Sequence, residues 1–190
     1  MSTERIALGV VPSRTGVGIG LVGAAVEGAV CWRFGWSPAL PAFCFIGAVG
    51  TAASVVDVRT RRIPSRLLVP SYPIGAALLF IASAAGSSWW SLARGAIAMS
   101  VVAGCYLLLA LTFVGQFGMA DVRIGGLLGL YLGWLGWPVV LTGTLSAWLL
   151  AALFVGWRRS AGRADRVAPV PMGPFLVTGA LIAILLAPHG

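Results

Sequence analysis

Residues 92–114 read LARGAIAMSVVAGCYLLLALTFV, an apolar run with a single charge, Arg94. At 1.5 Å per residue it covers about 34 Å as a helix. The hydrocarbon core of a bilayer is about 30 Å thick, so the run predicts a membrane-spanning helix. Comparable runs lie on both sides of it, near residues 15–34, 38–56, 67–86, 122–136, 138–157 and 172–187. The expected fold is therefore all-α: a polytopic transmembrane bundle of about seven spans, six to eight, forming one membrane domain over residues 1–190.

Composition supports this. The chain is 59% hydrophobic and only 9% charged, whereas a soluble domain carries about 25% charged residues. No cleavable signal peptide is expected, because the first apolar run is itself long enough to span. The net charge of +8 comes entirely from arginine. The arginines sit in short stretches between apolar runs, which fits orientation in a bilayer better than nucleic-acid binding, and no nucleic-acid partner is expected. Arg59, Arg61, Arg62 and Arg66 fall between the second and third spans, and Arg158, Arg159, Arg163 and Arg166 between the sixth and seventh. With seven spans, these share one side with Arg5, Arg14 and Arg123, and only Arg33 and Arg94 lie near the other. The positive-inside bias then places the N-terminus and the arginine-rich loops in the cytoplasm and the C-terminus outside. The uncharged stretch 86–91, with Trp89 and Trp90, falls outside.

Two spans carry small residues every fourth position: Gly16, Gly20, Ala24 and Gly28 in the first, Gly125, Gly129 and Gly133 in the fifth. Such stripes let membrane helices approach closely. The fifth span is short, about 22 Å. A single helix over 122–157 would reach about 54 Å, so Pro138 is expected to break it. The fifth segment is expected to cross rather than re-enter, because re-entry would turn the arginines of 158–166 outward.

Cys31, Cys44 and Cys105 are expected to pack as small apolar residues. With His189 the only histidine, no metal site and no cofactor is expected. The absence of lysine and of any internal histidine removes Ser–His and Ser–Lys chemistry. Among five acidic residues, Glu4 and Asp165 read as solvated. Glu27 lies inside the first span and is expected to form an ion pair with Arg94 or Arg33 near the outer face. Asp57 ends the second span and Asp121 begins the fifth, both on the cytoplasmic side. Ionisable groups at that depth are costly and point to function. Two carboxylates brought close share a proton, and can then work as general base and general acid in peptide hydrolysis. The plainer alternatives are that Asp121 caps the fifth helix and that Asp57 pairs with Arg61.

The residues around both aspartates resemble a known family. Asp57-Val-Arg-Thr-Arg-Arg-Ile-Pro64-Ser-Arg-Leu67 is similar to the first signature of the type IV prepilin peptidases, an Asp followed by a basic stretch and Ile-Pro-Asn. Gly118-Met-Ala-Asp121-Val-Arg123, with Gly129-Leu-Tyr-Leu-Gly133-Trp after it, resembles their Gly-Xaa-Gly-Asp-Val-Lys and the glycine-rich helix behind it. Pro171-Met-Gly-Pro-Phe-Leu176 looks like the Ile-Pro-Phe-Gly-Pro-Phe-Leu that opens their last helix. The resemblance implies an aspartyl endopeptidase that cuts the leader of pilin-like precursors, with Asp57 and Asp121 at the two catalytic positions. It also implies the short, peptidase-only form, without the N-terminal cysteine-containing region that accompanies N-methylation. Ser65 stands where the family has Asn, and Ala120 where it has Gly. If glycine is needed there for positive φ, Ala120 would strain the backbone. The alternative is a non-enzymatic scaffold or pseudo-peptidase that binds pilin-like helices.

Overall fold

The computed structural model describes residues 13–60, 63–86, 89–113, 118–161 and 171–188, with side chains from residue 18 onward. These residues form seven helices and no strand: α1 (Ser13–Phe34), α2 (Leu40–Thr60), α3 (Ser65–Ala84), α4 (Trp89–Thr112), α5 (Met119–Leu135), α6 (Trp137–Ser160) and α7 (Gly173–Leu186). The chain is a multi-pass helical membrane protein. By length and composition, α2, α3, α4 and α6 are long and apolar enough to cross a bilayer, and α7 is a shorter apolar helix.

Contacts between helix ends set the topology. The end of α2 meets the start of α7 through Asp57 and Gly173, and the start of α3 meets that of α5 through Ser65 and Arg123. At the other end, Arg33 of α1 reaches the end of α7, while Arg94 of α4 and Ser83 of α3 reach the end of α5. Successive helices thus alternate in direction. One end of the bundle holds both candidate aspartates, and the opposite end holds Arg33 and Arg94. α5 runs from the first end to the second, so it is not re-entrant. The break after it falls at Gly136, whose φ of 155° leads directly into α6 with Pro138 in its first turn.

α5 is the central helix. Every residue from Ile124 to Trp134 is buried, as expected of a helix that is apolar all round. Its glycines permit this. A Cβ on Gly129 would lie 3.0 Å from the Ala98 carbonyl oxygen, and one on Gly133 would strike Ala98 and the Arg94 carbonyl, so the backbones of α4 and α5 nearly touch. Tyr131 fills the space beside Gly75 and meets Phe43 edge-on. By contrast, Leu141, Leu145, Leu149 and Leu153, four residues apart on α6, form an exposed outer stripe.

Two expectations about α1 do not hold. Its small-residue stripe contacts no neighbouring helix at Gly20 or Gly28, both exposed, because that face points out of the bundle. Glu27 makes no ion pair among the described residues. Its Oε1 packs against Gly47, with the Cys44 side chain nearby. Arg33 and Arg94 instead serve backbone carbonyls. Cys31 and Cys105 are exposed rather than packed inside, leaving Cys44 alone as a partly buried thiol.

Candidate active site

Asp57 lies in the last turn of α2, and it is 6% exposed. A carboxylate there opposes the dipole of its own helix. The compensation comes from α7. Gly173, the first residue of that helix, donates its backbone N–H to Asp57 Oδ2 at 2.9 Å. The positive end of a second helix therefore faces the carboxylate that the first disfavours. The expected partner Arg61 lies outside the described residues, as do Glu4, Asp165 and His189.

Asp121 lies in the first turn of α5 and is half-buried. It is not the N-cap. Gly118 holds that position in extended conformation (φ −96°, ψ 155°), and Asp121, three residues on, reaches back so that Oδ2 accepts the Gly118 N–H at 3.1 Å. This is the acidic half of a capping box; a glycine N-cap has no side chain to supply the other half. The capping alternative for Asp121 is thus correct in kind, one turn displaced in position.

Both carboxylates stand at the same end of the bundle and within electrostatic range of each other. α7 packs against both α2 and α5. Each aspartate is fixed through Oδ2 by the N–H of a glycine, which leaves Oδ1 for other partners. Two further contacts tie the turn bearing Asp121 to its surroundings. Arg123 Nη1 donates to Ser65 Oγ at 2.5 Å, so the residue standing where the family has Asn links the first two sequence signatures. Tyr72 Oη donates to the Arg123 carbonyl at 2.5 Å and lies against the Leu127 N–H. Its hydroxyl is therefore inserted beside the hydrogen-bond ladder of α5. Buried Tyr106 of α4 covers Gly125, one turn beyond Asp121.

Ala120 is the second residue of α5 and helical. Positive φ is not required at this position, and its methyl packs against the core. The strain considered for this substitution is absent.

Sequence reasoning missed the contact of Gly173 with Asp57. The third signature gave a signal, but a motif match does not say what its glycine touches. Tyr72 had no comparable signal.

The fold and the paired acids define a class: helical membrane proteins that gather two carboxylates at one end of the bundle. The sequence narrows this. Residues 44–186 match the type IV leader peptidase family, and the chain belongs to it. It is 31% identical over 165 residues to a prepilin leader peptidase/N-methyltransferase of Burkholderia pseudomallei strain 1026b, covering 83% of this chain and 50% of that protein. It is 27% identical over 163 residues to one of Stutzerimonas stutzeri, covering 84% and 54%. The chain thus spans about half the length of the curated relatives it matches. No solved structure matches it.

Proposed function

We propose that this chain is an aspartyl endopeptidase, a single domain in a bacterial inner membrane, that removes the leader peptide of type IV pilin-like precursors on the cytoplasmic side. The observation that carries the reading is the pairing of Asp57 and Asp121 at one end of the bundle, each held through one oxygen by a backbone N–H. One carboxylate takes a proton from water while the water oxygen adds to the scissile carbonyl carbon, and the other carboxyl gives its proton to the carbonyl oxygen. The tetrahedral diol then collapses, the C–N bond breaks, and the departing amine takes up a proton. Arginines at the same end, Arg59, Arg66, Arg158 and Arg159 among them, support a cytoplasmic location by the positive-inside bias. The alternative is a non-enzymatic scaffold or pseudo-peptidase that binds pilin-like helices; the helical geometry at Ala120 removes backbone strain there as a reason for inactivity.

Precursor cleavage in membranes tests the proposal. Asp57→Asn and Asp121→Asn each remove the titratable proton at constant size. Each is expected to lower turnover by a thousandfold or so, and the double variant to cost little more, because members of a catalytic unit are not additive. The pH profile of the unchanged protein should fall on both limbs, reporting the pair rather than either residue. Cleavage by both single variants, well inserted and at wild-type rate, would leave the aspartyl mechanism and its two assigned residues without a basis.

A further inference from the structure

We propose that Gly173 is a positioning residue for Asp57, and that the absence of a side chain at this position aims the carboxylate. The inference rests on the peptidase reading and goes beyond the two aspartates to a third element, the start of α7. Two observations carry it. The Gly173 N–H is donated to Asp57 Oδ2 in a buried contact of 2.9 Å between residues 116 positions apart. A Cβ at position 173 would lie 2.7 Å from Asp57 Oδ2 and 3.2 Å from both its Cβ and its Cγ. The same N–H and the same missing methyl therefore act on one carboxylate, from one side.

Position 118 provides the contrast. A Cβ on Gly118 would lie 3.8 Å from Asp121 Oδ2, an ordinary contact. The hydrogen bond to Asp121 depends on the backbone alone, whereas the one to Asp57 needs glycine. No positive φ is involved, because Gly173 is helical. The demand is steric: the 2.7 Å contact at Oδ2 yields by rotation of the carboxylate, and the 3.2 Å contacts at Cβ and Cγ yield by a few tenths of an ångström. A methyl at 173 turns the carboxylate away from its donor while the helices stay in place. Misplacement of a reacting group by an ångström can cost about a hundredfold in rate.

The test is Gly173→Ala in the full chain, in membranes, with a type IV prepilin as substrate. Asp57→Asn serves as the inactive reference. Gly156→Ala serves as control, since a Cβ there meets nothing within 4 Å. The expected result is a loss of kcat of about a hundredfold for Gly173→Ala, with KM within about twofold because the precursor still docks. Gly156→Ala should cleave as wild type. A kcat within threefold of wild type, or a loss carried by KM, overturns the proposal. If Gly173→Ala fails to accumulate, the same change is made in an Asp57→Ala background. Restored accumulation assigns the clash to the carboxylate, and failure to restore it refutes the assignment. The two readings fail separately. If the unchanged chain does not cleave, the peptidase reading falls and this one with it. If wild type cleaves, Asp57→Asn does not, and Gly173→Ala cleaves normally, only the role of Gly173 is lost.

Discussion

The two ends of the bundle treat the same pair of short helices in opposite ways. α5 and α7 are the shortest helices, about 25 and 21 Å long at 1.5 Å per residue. At one end their N-terminal N–H groups meet Asp121 and Asp57. At the other end their last carbonyls meet arginines. Arg94 donates Nε to the Gly133 carbonyl and Nη2 to that of Trp134, both at 2.7 Å, and Arg33 donates Nη2 to the carbonyls of Ala187 and Pro188. Each helix thus has charge of the favourable sign at both termini. The difference is in what remains. A guanidinium laid over two carbonyls is occupied by structure. A carboxylate that accepts one N–H through Oδ2 keeps a second oxygen for chemistry. One electrostatic rule gives a clamp at the arginine end and a candidate catalytic pair at the aspartate end.

Substitutions at the two ends should separate these roles. The largest effect is on turnover. Asp121→Asn should lower cleavage about a thousandfold yet change stability by no more than about 1 kcal/mol, since an amide oxygen still accepts the Gly118 N–H. Thermal melts in detergent beside a cleavage assay check both halves. Arg94→Ala should show the reverse. Uncovering the Gly133 and Trp134 carbonyls should cost about 2–4 kcal/mol, visible as a lowered melting point, while the molecules that remain folded cleave within a fewfold of wild type. Loss of turnover without loss of stability in Arg94→Ala would erase the distinction between the ends.

A smaller effect is expected between the ends. Tyr72→Phe removes the hydroxyl beside the Arg123 carbonyl, and should cost about 1 kcal/mol and reduce cleavage severalfold through the turn that carries Asp121. Ala120→Gly should be the mildest. Because Ala120 is helical, glycine offers no relief of strain and costs about 1 kcal/mol in backbone entropy, with cleavage within twofold of wild type. A large gain in activity would restore the idea that alanine strains this turn.

What the sequence made legible follows from which forces act along the chain. Span length and apolarity are local, so all seven helices could be read directly, and the break expected at Pro138 falls two residues earlier, at Gly136, because proline fits the first turn of the helix that follows. The glycine stripe of α5 was read correctly because that helix is central. The similar stripe of α1 was not, because periodicity identifies a face without saying what lies opposite. The arginines were assigned to the right layer and the wrong partners. Burial demands that a cation be satisfied, but carbonyls at a helix end serve as well as Glu27. The aspartates stood out as candidates because acids are rare in this chain. The partner of Asp57 lies 116 residues away in a backbone group, and main-chain donors leave no residue type to search for.

The close seating of α5 on α4 has a mechanical consequence. A Cβ on Gly129 or Gly133 would lie 3.0 Å from a carbonyl oxygen of α4, so the seam leaves no room for even one methyl group, and a slide or rotation of either helix would meet the other's backbone. α3 is built differently. Pro70 and Pro73 lie inside it, so the carbonyls of Arg66 and Val69 have no intrahelical N–H to accept from, and its ladder is interrupted twice within one turn. The interrupted ladder makes α3 less stiffly bonded than that seam, and α3 is the helix whose Tyr72 bears on the turn that carries Asp121.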